Sequence, residues 1–163
     1  MVSDLVSSKI EDAYQTMRSQ ATIPDVDPRL LDFMVEECDF SMEHADGTFL
    51  EHLVFCHDYS ALHFPEYSPT VMLLHSILGT GTNTFAMEAS KIDALKALLD
   101  DFEFIHIEAF PSILRLLANL DLLDELNANL HRLNDLKSIE FYRVIDNQPL
   151  TMSAEDFWIQ LNY

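Results

Sequence analysis

Five of the seven histidines fall within the 32 residues from His44 to His75, with His52, His57 and His63 between them. Imidazole is the side chain best suited to moving a proton near neutral pH or to ligating a transition metal. Two of these rings stand in apolar company. His75 lies inside Leu73-Leu74-His75-Ser76-Ile77-Leu78, and His52 lies between Phe49-Leu50-Glu51 and Leu53-Val54. Burying such a polar group without a partner costs roughly 2–7 kcal/mol. Each ring therefore needs a nearby side chain, a carbonyl or a metal ion.

Helical spacing sorts the candidates. On a helix turning about 100° per residue, Glu51 and Asp58 share one side, which is assigned to solvent. His52, Cys56 and His63 fall on the opposite half with Phe49 and Leu53, and His57 takes a third sector with Leu50, Val54 and Ala61. The dipeptide His57-Asp58 is thereby split as a metal pair. His52 and His63 are about three turns apart, too far for one ion. His52 can instead meet His75 across a helix–helix contact, because packed axes lie about 8–10 Å apart. His44 precedes the helix carrying His52 and is the third candidate ligand. His106 and Glu108 are alternative further ligands. Cys56, one turn from His52, reads as a buried structural thiol.

The elements that must position these groups read as consecutive helices. Residues 3–20 repeat apolar positions at spacings of three and four. Asp27-Pro28 caps a second helix whose buried side is Leu30, Leu31, Phe33, Met34 and Val35. Thr48-Phe49-Leu50-Glu51 has capping-box spacing and starts a third helix that runs to His63. A central apolar helix over 70–78 stops at Gly79, a residue suited to a left-handed cap. A fifth helix opens at Ser90 and reaches about Asp101. Phe104–Ile107 alternates like a strand or a helical turn, Pro111 starts a helix over 112–119, and another covers 121–132. Residues 139–145 read as extended or irregular, and Ser153 begins the last helix. The 3 glycines argue against a sheet-rich fold.

Charge narrows the partners. The chain carries 28 acidic and 9 basic residues, a net −19. No Lys or Arg occurs between Arg29 and Lys91, while ten carboxylates do. Such a surface repels phosphate backbones, so nucleic acid is not an expected partner. It attracts cations, a metal among them, and leaves association with a basic protein open. No apolar run reaches membrane-spanning length, and the first residues lack a secretory pattern. Cys38 and Cys56 form no disulfide framework, and the expectation is a cytoplasmic protein with reduced thiols.

The segments His44-Ala45-Asp46-Gly47-Thr48-Phe49-Leu50-Glu51-His52-Leu53 and Leu74-His75-Ser76-Ile77-Leu78-Gly79-Thr80 resemble the HD-domain superfamily. They are most similar to an HD-related family of uncharacterised function whose second pair reads His-Ser. The resemblance covers roughly residues 40–85. It implies an all-α, single-domain HD-like helical bundle over 1–163, with its core in 28–132 and a short extended segment near 139–146. It also implies one or two divalent metals between helices, iron, manganese or zinc. By position, His52 matches the first histidine of the superfamily pattern and His75 the second. Ser76 stands where the pattern has its metal-bridging aspartate. Asp93, Asp100 and Asp101 are positional candidates for a later aspartate.

The expectation that follows is a metal-dependent hydrolase acting on a small, phosphorylated or ester substrate. His44, His52 and His75 would hold the metal. Ser76 and Thr80, with Thr82, would position substrate or water. The run Gly79–Thr84 reads as an anion cradle or as a plain helix-ending turn. Two other readings stay open, a non-catalytic scaffold with a degenerate site and an iron-dependent oxygenase. Self-association is left open as well.

Overall fold

A computed structural model describes residues 4–20, 22–38, 43–44, 47–79 and 86–163, with the backbone alone at 4–8, 10, 43–44, 47–48 and 122. The fold is mostly helical. In chain order it has α1 (Asp4–Gln20), α2 (Pro28–Glu37), β1 (Glu43–His44), β2 (Gly47–Thr48), α3 (Phe49–His63) and α4 (Thr70–Leu74). These are followed by α5 (Ile92–Lys96), α6 (Asp101–Leu117), α7 (Leu120–Ala128), β3 (Ser138–Tyr142), β4 (Pro149–Ser153) and α8 (Ala154–Gln160). Short 3₁₀ turns at Ala89–Lys91 and Leu130–Asp135 complete it. Among the described residues no helix is long and apolar enough to cross a membrane.

Local chemistry accounts for several boundaries. Asp27 Oδ1 accepts the Arg29 N–H at 2.9 Å, and Pro28 opens α2, whose first N–H groups have no partner within the helix. Asp100 and Glu103 form a reciprocal capping box on α6. Ser153 Oγ accepts the Asp156 N–H at 3.0 Å and starts α8. The helical hydrogen bonds of α4 end at Leu74, and residues 75–78 continue as turns into Gly79 at φ 145°, which only glycine enters readily.

Several expectations change: the central helix ends at Leu74 rather than 78, and the fifth, α5, ends at Lys96 rather than near Asp101. Pro111 does not begin a helix but sits inside α6, which runs unbroken from Asp101 through Phe104–Ile107 to Leu117. Packing on both faces, with His106, Ile107, Ala109 and Ile113 all buried, holds the helix together despite the hydrogen bond that proline omits. Val35 is 70% exposed and not part of the buried side of α2, which is Leu30, Phe33 and Met34. Extension does occur near 139–146, but it ends at Tyr142 and pairs with β4 as an antiparallel hairpin. In that register Ile139 faces Met152 and Phe141 faces Leu150, so one face is apolar. Asn147, at φ 58°, and the Arg143–Asp146 ion pair close the turn.

The main core gathers Met34, Phe49, Leu53, Val71, Leu73, Leu74, Ile77, Leu78 and Ile107 from α2, α3, α4 with its turn, and α6. A smaller apolar cluster of Ile113, Phe141, Met152 and Phe157 joins the hairpin and α8 to α6. Thus α3 and the α4 turn, which carry the two histidines in apolar settings, are both anchored in the main core.

Candidate metal centre

The apolar faces of α3 and α4 pack together, bringing His52 and His75 to a ring-centroid separation of 5.4 Å at 68°. Cys56, one helical turn beyond His52, joins them. Its Sγ lies 3.7 Å from His52 Nε2 and 4.0 Å from His52 Nδ1. One ligand atom from each of the three lies within 4.8 Å of the others. Tetrahedral zinc bound to two imidazoles and a thiolate places such donors about 3.3–3.6 Å apart, from bond lengths of about 2.0–2.3 Å. The His52–Cys56 pair is already near that spacing. The two edges to His75 lie within 4.8 Å.

His75 is held in a defined tautomer. Its Nδ1–H donates to the Met72 carbonyl at 2.7 Å, so the ring lone pair lies on Nε2. A carbonyl on the far nitrogen is the usual outer support of a metal-bound histidine. Phe110 packs on the His75 ring with centroids 5.0 Å apart, and Phe49 stacks on His52 at 6.4 Å. His75 is buried, and His52 and Cys56 are half-buried. Burial raises the Cys56 thiol above its ordinary range, so an arriving cation must displace its proton. Cys38, also a free thiol, is pushed up to about 12 chiefly by burial.

The other expected residues fall elsewhere. The side chain of His44 and all of Thr80 and Thr82 lie outside the described residues, as does most of the Gly79–Thr84 run. Ser76 follows His75 in the turn, and its carbonyl accepts the Gly79 N–H at 3.2 Å. His106 and Glu108 are not ligands of this group. His106 is fully buried on α6, with Nδ1 2.7 Å from Gln160 Oε1, and Glu108 pairs with Arg143 at 2.8 Å. Asp100 is occupied as the cap of α6, and Asp93 and Asp101 are exposed. His63 is also exposed, beside Tyr59.

Asp58 corrects the helical-wheel assignment. It is only 6% exposed, because α1 packs on the side of α3 given to solvent. There Asp58 accepts Arg18 at 2.6 Å and lies 3.1 Å from His57 Nδ1. The helical wheel splits His57 from Asp58, but in the structure both are buried and their side chains lie together, outside the group of His52, Cys56 and His75.

No protein-family model matches the chain, and no curated protein or solved structure gives a significant match.

Proposed function

We propose that the chain is a metal-dependent hydrolase holding a single thiophilic divalent ion, zinc first, between His52, Cys56 and His75. What carries the reading is the convergence of three donor atoms within 4.8 Å from two packed helical segments. Two nitrogens and one sulfur form a borderline-soft donor set that suits zinc, and iron next, and disfavours manganese. Three protein ligands leave a fourth position open, the pattern of catalytic rather than structural zinc. When bound, such an ion would supply Lewis acidity that brings the pKa of a water molecule down toward about 7.

The residues of the chain do the rest. The Met72 carbonyl holds His75 in its ligating tautomer, and Phe49 and Phe110 screen the rings from bulk water. Ser76, next to His75, is the hydroxyl nearest in sequence for orienting substrate. A doubly charged ion with one thiolate has a net +1, in a stretch with no Lys or Arg from residue 30 to 90. That is weak attraction for a phosphate dianion. A small uncharged ester or amide is the better substrate.

The likeness to the HD superfamily belongs to this reading, since it assigns His52 and His75 as its two histidines, here on α3 and in the turn that follows α4. The donor set departs from it in having Cys56 and no carboxylate, which argues for one metal rather than two. That same absence favours a second reading, a helical scaffold with a degenerate site. Hydrolysis of a p-nitrophenyl ester by tag-free protein separates them. Activity restored by one equivalent of zinc and abolished in His75→Ala supports the enzyme; equal rates with zinc, with chelator and in His75→Ala support the scaffold.

A further inference from the structure

A second candidate site lies beside α7 and shares no residue with the histidine–cysteine group. Its inner part is a cavity of about 300 Å³ lined by residues of α6, α7, the 3₁₀ turn at Leu130–Asp135, β3 and α8. Buried Ile113 and Phe157 line it together with Leu116, Leu126, Ile139 and Trp158, so it is a gap beside the smaller apolar cluster. Among the described residues Glu140 is the one charged group on its wall, and Glu140 is exposed. A cavity of this size and lining takes an apolar group, because a polar one would give up its hydrogen bonds to water and find almost none in return. Leu126, Leu133 and Leu136 also line an adjoining polar cavity of about 550 Å³. Its wall carries Arg132 and Lys137 together with Glu125 and Asp135, and none of the four is engaged in an ion pair with a described residue. The chain as a whole has 9 basic residues against 28 acidic ones. On this wall the two signs balance, two against two.

We propose that the two adjoining cavities bind a free, monomeric amphiphile with one alkyl tail and a zwitterionic head. The tail fills the apolar cavity against Phe157 and Trp158. The anionic part of the head lies against Arg132 and Lys137, which offer charge-assisted hydrogen bonds, and the cationic part lies against Glu125 and Asp135. A head of a single sign satisfies half of that wall and leaves the other half facing a like charge. An anionic amphiphile is also repelled by the net −19, and a cationic one is drawn to the whole acidic surface rather than to this place. An uncharged head gains nothing from either pair. The balance of signs is therefore what makes the site specific.

Trp158, the one tryptophan of the chain and 40% exposed, reports on the tail. Octylphosphocholine, kept below its micelle concentration, is titrated into the protein at constant ionic strength. The expected result is a saturable shift of the tryptophan emission to shorter wavelength, complete at one equivalent bound, as the tail displaces water from the ring. Octanoate, octylammonium and octyl glucoside should each bind at least about tenfold more weakly, and phosphocholine without a tail should leave the emission unchanged. Arg132→Gln with Lys137→Gln, and Glu125→Gln with Asp135→Asn, alter exposed side chains only and should each weaken binding about tenfold. Lys9→Gln, on α1, should not. The proposal would be overturned by the absence of a saturable shift, or by any of the three other octyl compounds binding as tightly as octylphosphocholine. Unchanged affinity in both double variants, or binding to phosphatidylcholine vesicles without binding to the monomer, would overturn it too.

Discussion

Zinc loading should raise thermal stability by an amount that the site itself limits. A ligand that binds only the folded state stabilises it by RT ln(1 + [L]/Kd), about 2.7 kcal/mol at a hundredfold excess over Kd. The unfolded chain does not bring His52, Cys56 and His75 together, because 23 residues separate the two histidines. For a domain of this size each kcal/mol moves Tm by about 2–4 °C, so the expected rise is about 5–11 °C. Calorimetry or circular dichroism on tag-free protein, with zinc at a hundredfold excess and with chelator, reads it directly. His75→Ala and Cys56→Ser should each lose most of the rise, while His63→Ala, on the exposed end of α3, should keep it. Coincident melting curves with zinc and chelator, or a rise that survives in both His75→Ala and Cys56→Ser, would refute the reasoning.

Burial pushes the pKa of His106 below its ordinary 6.5, so the folded state keeps this ring neutral where the unfolded chain would protonate it. Stability from this group is complete above about pH 6.5 and is lost as pH falls below it, by at most about 1.4 kcal/mol per pH unit. Urea midpoints at pH 7.5, 6.5 and 5.5 should show the decline, reduced in His106→Gln. Arg18→Ala strips a charged partner from buried Asp58 and should cost about 1–3 kcal/mol. Arg29→Ala breaks an exposed pair and should cost no more than about 1 kcal/mol in the same urea series. Leu53→Ala empties a fully buried position next to His52 and should cost about 2–5 kcal/mol. Val35→Ala should stay within about 0.5 kcal/mol, being at an exposed position.

Much of the donor group was legible because its physics is local. An imidazole inside an apolar run must find a partner, and the segment carrying His75 is an apolar one that can face His52 at helix-packing distance. Cys56 shared a helical face with His52 at a spacing of four, which was the available signal for a third ligand. It went unused because a buried thiol needs no partner and so reads as ordinary core. Asp58 was misplaced for a different reason. A helical wheel sees one helix, and only tertiary structure brings α1 and Arg18 over that face. The continuity of α6 was hidden by Pro111, whose local effect opposes a helix interior and is overridden by packing on both sides. β4 was hidden because Pro149-Leu150-Thr151-Met152-Ser153 is too short to alternate clearly, and its strand character comes from pairing with β3.

The central claim concerns which atoms surround the metal, and X-ray absorption at the zinc edge of the loaded protein tests it most directly. The account predicts one sulfur at about 2.3 Å with two imidazole nitrogens at about 2.0–2.1 Å and one further light-atom ligand. The sulfur shell should vanish in Cys56→Ser. A shell of oxygen and nitrogen alone in the wild-type protein, or failure to retain zinc at all, would contradict it.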